Sequence, residues 1–126
     1  SDLNKLLLIL FLGLLNLKAI TWHTLEEAQK LQKQNSKIIM LNITASHCPY
    51  CKKMEKNVFQ DTNMSKWINS KFIPVKIDMD FDDIPLNLNP KMTPTFYFIS
   101  KEEKILKVIP GSWNIEDFKD LTRKIK

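Results

Sequence analysis

The stretch Ile38-Ile39-Met40-Leu41-Asn42-Ile43-Thr44-Ala45-Ser46-His47-Cys48-Pro49-Tyr50-Cys51 decides how this chain is read. From Ile38 to Thr44 it is apolar apart from Asn42 and Thr44, and Ile38, Ile39, Ile43 and Thr44 are β-branched. A short run without alternation predicts a strand buried on both faces. Two cysteines at i and i+3 follow at once. Pro49 suits the first turn of a helix, where its missing N–H costs nothing. The spacing therefore predicts a strand that turns directly into a helix, with Cys48 in the N-cap region and Cys51 one turn further in.

That placement has a chemical consequence. A sulfur at a helix start faces unpaired backbone N–H groups and the positive end of the helix dipole. Both favour thiolate over thiol, and the thiolate is the nucleophile. Cys51, one turn in and expected to be the more shielded, is placed to attack a mixed disulfide formed at Cys48. Attack followed by resolution is thiol–disulfide exchange. Lys52 and Lys53 add positive charge nearby. Other readings stand beside this one. Half of a zinc site needs two more ligands, and only His23 and His47 are available, neither with partner spacing, so no metal is expected. Covalent haem needs His directly after the second cysteine, where this chain has Lys52. A structural disulfide would close so short a loop that chain entropy gives it little stabilising effect.

The rest of the chain frames this centre. With 126 residues it has the length of one domain. At 44% hydrophobic and 26% charged, it is no disordered, collagen-like or multi-span membrane chain. Two glycines leave no Gly-rich phosphate loop. The net charge of +5 fits mild attraction to acidic surfaces. No strand-spaced aromatic or Arg-rich run supports nucleic acid as a partner.

Thr24-Leu25-Glu26-Glu27 is a capping box that opens a helix over about 24–34. The pattern after Pro49 runs on through Met54, Val58 and Phe59, and Asp61–Ser70 reads as a further helix. Phe72–Ile77 is a second strand. Asp78–Pro90 reads as a loop whose acidic run is solvated rather than a calcium site. Thr95–Ser100 and Ile105–Ile109 form a hairpin. After Gly111, Asn114 caps a last helix with Ile115, Phe118, Leu121, Thr122 and Ile125 on one face. A short strand near Ile20–Trp22 is expected to precede the first helix. The order predicts an α/β domain with a mixed sheet of four to five strands and helices on both faces.

Residues 1–19 stand apart, and the domain is expected over 20–126. Lys5 precedes the apolar run Leu6–Leu15. That run has the length of a signal-peptide core and about half of the roughly 20 residues a membrane span needs. Ala19 offers a small residue near a cleavage point. A buried helix and an uncleaved anchor are the other readings.

From about Trp22 to the C-terminus the chain resembles the thioredoxin fold, and in particular the secreted bacterial thioredoxin-like proteins. Cys48-Pro49-Tyr50-Cys51 is similar to the family's active-site motif, with the Pro-Tyr pair familiar from glutaredoxins. Pro74-Val75-Lys76-Ile77-Asp78 is similar to its next strand. Met92-Thr93-Pro94-Thr95-Phe96 resembles the loop in which a cis-proline faces the cysteines. Gly111 sits where the family places a glycine after its last strand.

The resemblance implies a redox-active Cys48–Cys51 disulfide with no further cofactor. Cys48 would attack and Cys51 resolve. Thr93, Pro94, Pro49 and Tyr50 would shape the substrate groove, and His47, Asn42 and Lys76 would tune the pair. It further implies disulfide- or thiol-containing proteins as partners, reduction as the direction, a membrane thiol electron donor, and a periplasmic location. An oxidant or isomerase of the same fold, or a binding module that uses the groove near Pro94 without turnover, are the alternatives.

The chain also departs from the family. The buried Asp six residues before the first cysteine is here Asn42, which cannot take a proton. The Trp before that cysteine is replaced by His47. Only Pro110-Gly111-Ser112 stands where glutaredoxins keep a Gly-Gly pair for glutathione.

Overall fold

In the computed structural model, which describes residues 2–7 and 19–126, the run Ile38–Thr44 forms strand β1, and all seven of its residues are buried. Burial on both faces requires neighbours on both edges. β2 (Phe72–Asp78) pairs with it in parallel, Ile38 opposite Phe72 and Thr44 opposite Asp78. β3 (Thr95–Ile99) pairs on the other edge, antiparallel, with Ile39 opposite Ile99 and Ile43 opposite Thr95. β4 (Ile105–Pro110) completes the hairpin, so the sheet order is β2-β1-β3-β4.

Alternation along β1 divides the core. Ile39, Leu41 and Ile43 face helix α1 (Leu25–Asn35), where they meet Ala28, Leu25 and Leu31. The capping box that starts α1 is formed in both directions. Ile38 and Met40 face the opposite layer. That layer holds α2 (Pro49–Met54), a π-helical turn (Glu55–Phe59), α3 (Thr62–Lys71) and α4 (Ile115–Thr122). Asp61 caps α3 and Asn114 caps α4, each accepting from the backbone N–H three residues on. Phe59, Phe96 and Phe118 meet edge-on in the middle of this layer, with centroids 5.0–6.4 Å apart. Edge-on contact places the positive ring edge against a negative face, which adds to the area buried.

Two sequence expectations change. The helical pattern after Pro49 does not continue regularly. At Glu55–Phe59 it widens into a π-helical turn, and the adjacent Val58 and Phe59 are both buried. The strand expected at Ile20–Trp22 is reduced to a single bridge, His23 to Val75, with the His23 N–H donating to the Pro74 carbonyl at 2.9 Å. The carbonyl and nitrogen of one strand residue face the same side. Pro74 therefore offers the edge an acceptor but no donor, and the ladder stops there. Among the described residues the sheet has four strands.

Residues 2–7 are helical, with Leu3, Leu6 and Leu7 exposed. Residues 8–18 lie outside the described residues, and with them most of the apolar run Leu6–Leu15 read as an export signal. Among the described residues no helix is long and apolar enough to cross a membrane.

Phe118 is fully buried against two aromatic rings. Replacing it with Ala is expected to cost about 3–5 kcal/mol. Urea unfolding followed by far-UV circular dichroism checks this through a lowered midpoint.

Candidate active site

β1 leaves the core at Thr44, and three residues carry the chain to Cys48. That short loop is fastened. The Ser46 N–H donates to the Asp80 carboxylate at 2.8 Å, and the Ser46 hydroxyl donates to Asp78 at 2.9 Å. Half of the acidic run expected to be merely solvated thus ties down the loop before the cysteines. The remaining two acids, Asp82 and Asp83, are exposed.

Cys48 is the N-cap of α2, and its Sγ accepts from the Cys51 N–H at 3.1 Å. Cys48 and Cys51 are joined as a disulfide, with Cα atoms 5.2 Å apart. The hydroxyl of Thr93 donates to Cys48 Sγ at 3.2 Å, and the Thr93 carbonyl oxygen lies 3.4 Å from the same sulfur. A disulfide sulfur has no proton to give. On reduction the Cys48 thiol gains one and can donate to that carbonyl.

The Thr93–Pro94 peptide bond is cis. The turn containing it is held from both ends: the Thr95 hydroxyl donates to the Met92 carbonyl at 2.7 Å, and the Gly111 N–H donates to the Pro94 carbonyl at 2.8 Å. Gly111 makes that bond at φ +88°, a left-handed conformation that glycine adopts at no steric cost.

The cysteines are covered in the reverse of the expected order. Cys48 is 5% exposed, whereas Cys51 is half-buried. The Thr93–Pro94 turn lies against the Cys48 sulfur and screens it. A nucleophilic role for Cys48 therefore rests on its two hydrogen-bond donors and its place at the helix start, and not on greater access. Pro49, Tyr50 and His47 are exposed and form the rim. Met92 and Trp113 extend it as half-exposed apolar surface. Trp113 is set beside α2 by its backbone N–H on Met54 Sδ at 3.2 Å, and its indole N–H donates to the Pro110 carbonyl at 2.9 Å.

Asn42 is 2% exposed and, by strand alternation, shares the face of Met40 beneath α2 and the π-helical turn. Its side-chain oxygen has no hydrogen-bond partner among the described residues. Lys76 is its register neighbour on β2. The Lys76 ammonium does not hydrogen-bond to either sulfur. It pairs with Glu55 at 3.4 Å and lies 4.4 Å from the centroid of the Trp22 ring. Sequence reasoning missed Glu55 and Ser46. The signal for Glu55 was its place one helical turn after Cys51. Ser46 carried none, because its partners lie 32 and 34 residues away. On the α1 face of the sheet, burial raises the pKa of the Tyr97 hydroxyl above its ordinary value.

Residues 25–126 match the family described as the thioredoxin-like domain. The chain belongs to that family. Among curated relatives of this thioredoxin-like chain, Thioredoxin-1 of Drosophila melanogaster is 27% identical over 78 residues, covering 61% of this chain and 70% of the fly protein. An uncharacterized Caenorhabditis elegans protein is 34% identical over 55 residues, or 44% of this chain, and the match spans only 8% of the worm protein. Among solved structures, the DsbH oxidoreductase superposes with a TM-score of 0.69 at 21% identity, covering 85% of this chain and 84% of that one. A thioredoxin from Thermus thermophilus gives 0.70 at 23%, covering 85% and 87%. At these identities the structural likeness speaks for the fold.

In the reduced protein, Cys48 is expected to be alkylated by iodoacetamide before Cys51 at mildly acidic pH, despite its lower exposure. Thr93→Val removes one donor and should slow that reaction severalfold. Peptide mapping of partly alkylated protein reads both outcomes.

Proposed function

We propose that this thioredoxin-like chain is a thiol–disulfide oxidoreductase that reduces disulfides of partner proteins outside the cytoplasm. The observation that carries the reading is the convergence of the Cys51 N–H and the Thr93 hydroxyl on Cys48 Sγ, beside the Thr93–Pro94 turn. Both donors stabilise a thiolate there. Both are neutral, so the stabilisation is moderate. A strongly stabilised reduced form makes an oxidant, and a moderately stabilised one leaves the pair on the reducing side.

The Cys48 thiolate attacks one sulfur of a substrate disulfide. The substrate S–S bond breaks, a Cys48–substrate disulfide forms, and the departing thiolate takes a proton from solvent. The Cys51 thiolate then attacks Cys48 Sγ and releases the second substrate thiol. Two electrons have passed to the substrate, and the Cys48–Cys51 disulfide has formed. Asn42 cannot accept the Cys51 proton, so that proton goes to water or to the departing thiolate. An extended substrate segment can pair with the backbone at Thr93 in the manner of an added strand. Pro49, Tyr50 and the exposed Met92 give it an apolar rim. His47, next to the nucleophile, favours the thiolate when protonated.

Restoring the dithiol requires a thiol donor. The apolar run Leu6–Leu15 behind Lys5 supports export, and with it a membrane thiol protein as that donor. An oxidant would use the same atoms with the electrons flowing the other way, and an isomerase would use them with no net transfer of electrons.

Cys51→Ala blocks resolution. The variant is expected to accumulate mixed disulfides with partner proteins, visible as reductant-sensitive bands on non-reducing gels and lost when Cys48 is also replaced. A protein that only binds through the groove would show no such bands, and its binding would survive loss of both cysteines.

A further inference from the structure

We infer that the end of the domain opposite Cys48 is a docking surface for an anionic lipid bilayer, so that the cysteine pair faces away from the membrane. Strand register defines that end. Ile38 of β1 and Phe72 of β2 lie there, together with Ile99 of β3 and Ile105 of β4. The close of α4 joins them, because the Lys71 ammonium donates to the Arg123 carbonyl and the Lys107 ammonium to the Leu121 carbonyl.

Three features coincide at this end. The first is where the N-terminal segment joins the domain. The Asn69 side chain donates to the Ala19 carbonyl at 2.8 Å and accepts from the Thr21 N–H at 3.1 Å, while Lys37 donates to the Asn69 carbonyl at 3.3 Å. The chain therefore enters the domain here, downstream of a sequence that carries the apolar run Leu6–Leu15, and Leu3, Leu6 and Leu7 are 55–64% exposed.

The second feature is charge. Lys104, Lys124 and Lys126 are exposed at this end, with Lys107 and Lys71 beside them. The acids present are few. Asp120 pairs with Arg123, Glu103 accepts from Gln29, and Glu102 is exposed on the hairpin turn. At the Cys48 end, by contrast, Asp78, Asp80, Asp82 and Asp83 lie close together in sequence.

The third feature is apolar surface set among these cations. Leu106, Leu121 and Ile125 line a groove with Lys107 and Lys124. Ile105 and Leu106 are 47% and 40% exposed. Lysines interleaved with exposed aliphatics, beside an apolar tether, suit the boundary between headgroups and acyl chains. A nucleic acid would use the cations but leave the aliphatics and the leucine-rich tether in water.

A lysine near an anionic membrane surface contributes about fivefold in affinity, so loss of three should weaken binding on the order of a hundredfold. The test uses the full chain and sedimentation with vesicles of phosphatidylcholine alone or mixed with phosphatidylglycerol. The apolar residues of the N-terminal segment contribute to both, so the ratio of the two partition coefficients reports the charges, Lys5 and Lys18 included, and the lysine variants assign the preference to the surface. The wild type is expected to prefer the anionic vesicles, and the preference should fade as salt is raised. Lys104→Gln, Lys124→Gln and Lys126→Gln together should abolish most of it. Lys52→Gln, Lys53→Gln and Lys56→Gln together remove the same charge from exposed sites on α2 and the π-helical turn, and should leave most of it. No preference in the wild type, or equal losses in the two triple variants, would overturn the inference.

Discussion

The burial of β1 on both faces and along its whole length is the constraint on which the rest depends. Such a strand has no freedom to slide, because a shift of one residue would exchange the side chains that face α1 for those that face α2. Its end point is therefore fixed, and with it the start of α2. Cys48 becomes the N-cap of that helix because Pro49 can occupy the first helical position and because Ser46 is held by Asp78 and Asp80. The neighbouring antiparallel strand β3 then determines what faces the sulfur. Thr95 pairs with Ile43, so the turn just before β3 must lie beside the loop just after β1. Thr93 reaches Cys48 because two strands are in register and not because of any local preference.

Asn42 shows what this arrangement tolerates. An unpartnered amide oxygen in the interior carries a desolvation penalty of about 1–3 kcal/mol. An ionised carboxylate at the same position would carry more, and would titrate where the amide does not. With Asn42 in β1, Lys76 is free to pair with Glu55 and to cover Trp22. For the proposed exchange, the consequence is that among the described residues no buried acid stands beside the second thiol to hold its proton.

Much of this was legible in the sequence for reasons that can be named. β1, the capping box at Thr24 and the Asn114 cap are local signals, and the residues that carry them touch one another along the chain. The mixed sheet, expected with four to five strands, followed from the alternation of apolar runs with helical patterns. The π-helical turn at Glu55–Phe59 was not legible, because the need to bury both Val58 and Phe59 comes from the aromatic rings of β3 and α4. The loss of a fifth strand hinged on which side of β2 the Pro74 nitrogen faces, and composition does not carry that. At the site, the closeness of Cys48 and Cys51 was readable from their spacing. The relative cover of the two sulfurs was not, since Thr93 arrives from 45 residues away. The same distance effect hid the anchoring of Ser46.

In the proposed reading Cys48 is a moderately stabilised nucleophile held by two neutral donors, and electrons are proposed to pass from the pair to the substrate. The reduction potential of the Cys48/Cys51 pair, measured by equilibration in thiol buffers, tests this most directly. The predicted value lies close to that of thioredoxin, about −270 mV. A value close to that of the strong bacterial oxidant, about −120 mV, would contradict the account and reverse the direction of flow.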